Sequence, residues 1–143
     1  MGMFGAIDAA ASGLTAERLR MDVISNNIAN VNTTRTAEGG AYRRQIVLFE
    51  PRSGQSFAQF LSREMDSGTG VKVAGITQDN SPTRRVYEPN HPDADPEGYV
   101  EMPNINIVSE MVDMITATRA YEANVTAVNA AKSMALKALE IGR

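Results

Sequence analysis

The sequence predicts a mainly α protein in which long N- and C-terminal helices pair as a coiled coil around a small, irregular, β-containing central region. Three observations carry this reading. Apolar residues recur at heptad spacing from Ile7 to Ile28 and again from Ile107 to Leu139, and helical periodicity stops between them, where Gly, Pro, Asn and Ser become common. The expected division is 1–33 for the first helix of a terminal coiled-coil domain, 34–103 for a β-rich or irregular centre, and 104–143 for the second helix of the terminal domain.

In the first segment, Ile7, Leu14, Met21 and Ile28 repeat at seven, with Phe4 and Ala11 between them, so a helix is expected from Phe4 to about Val31. Asp8, Glu17, Arg20 and Asp22 fall mostly off that line. Gly5 and Gly13 each cost about 1 kcal/mol relative to Ala in a helix interior, so this helix depends on packing. It closes on Ser25-Asn26-Asn27-Ile28-Ala29-Asn30-Val31-Asn32-Thr33, four asparagines within seven residues. One asparagine would serve as a left-handed cap, but four of so mediocre a helix former point to a further use. Asn26 and Asn30 lie one turn apart, a row of amides able to donate and accept across a helix interface and so fix register.

The centre reads as short strands: Tyr42 to Phe49, Val71 to Gln78 and Arg84 to Tyr87. Ser67-Gly68-Thr69-Gly70 and Asp79-Asn80-Ser81-Pro82 are turn sequences, and the second is expected to fold the last two strands into a hairpin. Ser56 to Arg63 fits a helical turn or a strand equally. Glu88 to Pro103 holds four of the six prolines and reads as a stiff, extended return to the second helix.

That helix is expected from about Asn104 to Ile141, with Pro103 just upstream and Asn104 as N-cap. Ile107, Met114, Tyr121, Val128 and Ala135 form one line; Met111, Thr118, Val125 and Leu139 form the next, interrupted by Lys132. Glu110, Asp113, Arg119, Glu122 and Lys137 are expected elsewhere on its surface, and Gly142 is a natural stop. Helices of these lengths measure roughly 40 and 55 Å, more than a compact small domain can wrap. Each therefore keeps an apolar stripe for a neighbouring molecule.

Chemistry has few places to reside. The net charge is −3 with both signs interspersed, which offers no footprint for nucleic acid. There is no cysteine, which rules out disulfides and thiolate metal sites. No run approaches the roughly 20 apolar residues of a membrane span, so direct membrane insertion is not expected, and the start lacks the basic residues of a cleaved signal. The single histidine, His91, sits in a proline-flanked loop. Asp93, Asp95, Glu97 and Gly98 imitate the opening of a calcium loop, yet Asn104 stands where a bidentate Glu should close it and no helix precedes it. No catalytic residue, cofactor or metal is expected.

The segment SNNIANVNT, following a heptad-patterned helix, resembles the hallmark of the bacterial flagellar axial family, which includes rod and hook proteins. The stretch from Asp79 to the end, DNSPTRRVYEPNHPDADPEGYVEMPNINIVSEMVDMITATRAYEANVTAVNAAKSMALKALEIGR, is also similar to rod members of that family. The resemblance implies a structural subunit of the proximal rod, the shaft that crosses the periplasmic space of the basal body and passes motor torque to the hook. It implies terminal helices that line a helical tube and tend to be disordered before assembly. It further implies export through the flagellar type III apparatus without a cleaved signal peptide. Partners are then copies of this chain, other rod subunits, the export apparatus and the surrounding basal-body ring. Residues expected at subunit interfaces are Ile7, Leu14, Met21, Asn26, Asn27, Ile28, Asn30 and Asn32 on the first helix, with Ile107, Met111, Met114, Tyr121, Val125, Val128 and Leu139 on the second. The rival reading is a coiled-coil adaptor or secreted effector that binds one partner and never polymerises.

Overall fold

A computed structural model describes residues 3–52 and 70–142. Among these residues, two helices, α1 (Met3–Ala29, 27 residues) and α2 (Ile107–Ile141, 35 residues), bracket four strands: β1 (Gln45–Pro51), β2 (Val71–Gln78), β3 (Arg84–Tyr87) and β4 (Tyr99–Met102). The expected elements at Ser56 to Arg63, and most of the Ser67 to Gly70 turn, lie outside the described residues.

The helices pack antiparallel. Asn27 meets Glu110, Met21 meets Thr118, and Gly13 lies against Asn124, so the running sum of facing residue numbers stays near constant along the pair. Gly13 makes this approach possible, because a Cβ there would stand 2.8 Å from the Asn124 amide nitrogen. The glycine's cost in helix propensity thus has a packing reason.

The line of α2 turned toward α1 differs in part from the expected one. Met114, Tyr121, Val128 and Ala135 are half-buried as read, but their companion line is Glu110, Ala117, Asn124 and Ala131. Met111 and Leu139 are 54% and 71% exposed, and Ile107 is also exposed. Alanine fills two of these positions, and the other two carry polar side chains that meet α1, Glu110 at Asn27 and Asn124 at Gly13. On α1 the most deeply buried residues are Ser12, Ala16, Val23, Ile24 and Asn27, while Ile7, Leu14, Met21 and Ile28 are half-buried.

Both helix ends use asparagine. The side chain of Asn106, not Asn104, caps α2, accepting from the Val108 and Ser109 amides at 3.0 and 3.4 Å. Pro103 and Ile105 are buried first, which delays the helix by two residues beyond the expected cap. At the end of α1, Asn30 Nδ2 donates to the Asn26 carbonyl at 2.9 Å and its Oδ1 accepts from Thr33 Oγ1.

The strands pair as two antiparallel two-stranded sheets, β1 with β2 and β3 with β4. The expected hairpin between residues 71–78 and 84–87 does not form. Asp79 Oδ1 instead accepts from both the Ser81 amide and hydroxyl, and the Asp79 amide donates to the Arg44 carbonyl, so the chain turns away from β2 without doubling back on it. The proline-rich return contains a strand after all. Gly98, at φ +84°, makes the turn into β4 beneath the Tyr87 ring, and Val100 of β4 is 1% exposed. Strand β1 starts at Gln45 rather than Tyr42, because the Tyr42 amide closes a loop onto the Thr33 carbonyl.

The β1–β2 sheet lies along α1 and is attached at both ends. Ser12 Oγ donates to the Ala9 carbonyl and accepts from the Val71 amide at 3.0 Å, while Asn27 holds the Gln45 backbone. The buried apolar residues, Ala16, Val23, Ile24, Val100, Ile105, Ala117 and Ala131, are few and mostly small.

Candidate assembly surface and a buried polar node

The asparagine segment is divided by the fold. Asn26 and Asn32 are exposed, and Asn30 spends its amide on the end of its own helix. Asn27, in contrast, is 1% exposed and fully bonded. Its Nδ2 donates to the Gln45 carbonyl at 2.9 Å and to Glu110 Oε2 at 3.1 Å; its Oδ1 accepts from the Gln45 amide at 2.9 Å and the Tyr42 hydroxyl at 3.1 Å. Within the chain, the amide that crosses between helices is therefore Asn27, and the Asn26–Asn30 row does not face α2.

Glu110, expected on the surface, is 1% exposed. Arg44 donates to its Oε1 through Nε at 2.5 Å and reaches Asp113 at 3.3 Å; Arg20 of α1 approaches the other oxygen of Asp113 at 3.8 Å. A carboxylate this deeply buried is tolerated only with a charge partner and a second donor, and Arg44 and Asn27 supply both. The same burial, with the Glu110 charge beside it, raises the Tyr42 hydroxyl above the usual tyrosine pKa. Four residues that sequence reasoning did not single out, Tyr42, Arg44, Glu110 and Asp113, thus join Asn27. The one advance signal was a charge on a heptad line otherwise made of alanine and asparagine.

The acidic loop turns its carboxylates onto arginines and a hydroxyl. Asp93 accepts from Thr34 at 2.8 Å and lies 3.9 Å from Arg35, while Arg85 lies 3.4 Å from Asp95 and 3.9 Å from Glu97. Arg85 also sits over the Tyr99 ring, which packs edge-on against Tyr87. These contacts consolidate the β3–β4 hairpin. Asp79, in the turn after β2, carries a lowered carboxyl pKa, set first by its hydrogen bonds from the Ser81 hydroxyl and amide. Among the described residues, no three or more acidic or histidine side chains gather as a metal would require.

The outward side of α2 is apolar at both ends. Ile107, Val108, Met111, Val112 and Ile115 are exposed over its first turns, and Met134, Leu136, Leu139 and Ile141 over its last. Isolated exposed apolar residues are ordinary, whereas nine on one helix is a concentration of the kind that marks contact surfaces. No described helix is long and apolar enough to cross a membrane.

A long antiparallel helix pair with exposed apolar residues and a small β elaboration has the architecture of a structural subunit. Residues 7–36 match the family described as flagella basal body rod protein, and residues 97–141 match the flagellar basal body rod FlgEFG protein C-terminal family. The chain is 54% identical to the flagellar basal-body rod protein FlgC of Borreliella burgdorferi, over 99% of this chain and 98% of that one. It is 48% identical to FlgC of Bacillus subtilis and 38% identical to FlgC of Escherichia coli O6:H1, over the full length of both chains in each case. The chain belongs to the FlgC family of flagellar basal-body rod proteins, and its place is the flagellar basal body. The asparagine segment lies within the first matched region, and the C-terminal stretch read from Asp79 onward overlaps the second from residue 97.

Proposed function

We propose that this chain polymerises through its terminal helices into the proximal part of the rod, a helical tubular shaft that transmits motor torque. The observation that carries this reading is the set of apolar residues exposed at both ends of α2. Contacts of that kind between unlike patches generate a helix of subunits where the rotation between neighbours does not close into a ring. In this reading 1–33 and 104–143 form one coiled-coil domain in the shaft, and 34–103 elaborates it. Neighbouring copies and other rod subunits cover Ile107, Met111 and Leu139, together with the half-buried margins at Ile7, Leu14, Met21, Ile28, Met114, Tyr121, Val125 and Val128. Exposed Asn26 and Asn32 offer amides to the same neighbours. The chain reaches the periplasmic space through the type III export apparatus without a cleaved signal, and the surrounding ring is a further neighbour.

The test is recovery from purified basal bodies. Met111→Asp with Leu139→Asp should leave the isolated chain within about 1 kcal/mol of its original stability, since both sites are exposed, yet abolish incorporation and motility. Normal motility of that variant would refute the reading. A discrete, stable oligomer that never enters basal bodies would favour the adaptor instead.

A further inference from the structure

The apolar half of the helix seam does not by itself define a unique register. Met114, Tyr121, Val128 and Ala135 follow each other at seven residues, so a slide of α2 by one heptad, about 10 Å, exchanges one apolar contact for another. Discrimination has to come from the other line, Glu110, Ala117, Asn124 and Ala131. Its partners on α1 include Asn27, opposite Glu110, and Gly13, opposite Asn124.

The α1 side presents a socket for one carboxylate. The Gln45 backbone takes one Nδ2 hydrogen of Asn27 and donates to its Oδ1, which fixes the amide and aims the remaining hydrogen at α2. Arg44, the neighbouring residue, aims its Nε at the same place. Both groups donate, so the site takes an acceptor carrying negative charge. Glu110 is the one acidic side chain of α2 buried in the seam; Asp113 flanks it half-buried, and Glu122 and Glu140 are exposed. Sliding one heptad one way brings Ala117 to the socket and Ala131 to Gly13. Sliding the other way brings up Pro103, which precedes the helix, and carries Glu110 toward Arg20. Either shift leaves the buried Asn27 amide without its acceptor.

We propose that Glu110 is a positioning residue that selects the register of α2 on α1 by docking into the Asn27–Arg44 socket. Helix pairing and the seating of residues 42–45 are then one event, because the socket is complete only when the segment before β1 lies on α1. The apolar lines hold the helices together, and the carboxylate decides where.

Cysteine cross-linking tests this without background, since the chain contains no cysteine. Met21 Sδ and Thr118 Oγ1 lie 3.6 Å apart, so Met21→Cys with Thr118→Cys reports the register described here. Met21→Cys with Met111→Cys, or with Val125→Cys, reports a slip of one heptad in either direction. Each full-length pair is expressed in motile cells that also carry the unaltered chain, oxidised, and scored as an intramolecular disulfide by gel mobility. The otherwise unaltered chain should link only 21 with 118. Glu110→Ala, and the double variant Asn27→Leu with Glu110→Met, should gain a 21–111 or 21–125 product, whereas Glu110→Gln, which keeps an acceptor for Asn27, should not. A pattern in Glu110→Ala identical to that of the unaltered chain overturns the proposal. So does loss of all three products, which would make Glu110 a requirement for pairing and not for register. Because the linkage is within one chain, the outcome does not depend on polymerisation.

Discussion

Replacing Asn27 with alanine should cost far more than any other asparagine substitution in its segment. Two of its hydrogen bonds hold the Gln45 backbone and a third reaches the Glu110 carboxylate. Neutral bonds contribute about 1 kcal/mol each and a bond to a charged group about 1.5–3. The fourth, from the half-buried Tyr42 hydroxyl, is discounted because that hydroxyl can rotate toward water. Alanine returns roughly 0.5 kcal/mol in helix propensity, which leaves a loss of about 3–4 kcal/mol. The assay is a titration from urea into trimethylamine N-oxide followed by far-UV circular dichroism, which defines a midpoint even where the isolated chain is only partly ordered in buffer. Asn26→Ala, at an exposed position, is the control and should stay within about 0.5 kcal/mol. If the two variants lay within 1 kcal/mol of each other, the node would not hold the fold together as its geometry implies.

Two further outcomes follow from the same contacts. Gly13→Ala should gain less than the about 1 kcal/mol its helix propensity offers, because its Cβ would stand 2.8 Å from the Asn124 amide and displace it. In an Asn124→Ala background the same substitution should recover that gain in the same titration, and an equal effect in both backgrounds would contradict the close approach. The raised Tyr42 pKa means the folded state holds the phenol proton more tightly than the unfolded chain. Its contribution is therefore complete below the unfolded value near 10 and is lost as pH rises through the folded value. Ultraviolet absorbance should show one tyrosine titrating late and missing in Tyr42→Phe; four tyrosines titrating together would exclude this.

Legibility in the sequence followed the length of the pattern. Both helices, and strands 71–78 and 84–87, stand where periodicity and turn residues put them, since each has a full face or a clear boundary to report. The seam was missed on one side because heptad spacing reveals the presence of a stripe more readily than its angle. A one-residue rotation exchanges Met111 for Glu110, and only the approach of Gly13 to Asn124 settles it. Strand pairing failed at Asp79 for a related reason: an Asx turn and a hairpin turn draw on the same residues. Strand β4 lay hidden inside a proline-rich stretch. The flagellar resemblance located the family through residues whose individual roles, Asn27 crossing to α2 and Asn30 closing α1, became separable only in three dimensions.

The two attachments of the β1–β2 sheet bear on how the subunit responds to load. Ser12 and Asn27 are fifteen residues apart on α1, about 22 Å, and β1 from Gln45 to Pro51 spans about 20 Å, so a strand ladder of matching length is pinned to the helix at both ends. It acts as a splint. That stretch of α1 cannot bend or untwist without shearing the ladder, and Arg52, just past β1, extends the attachment to Asp8 at 3.2 Å. Torsion applied to this part of the helix is therefore shared with the strands, so load on one subunit is carried by two elements in parallel.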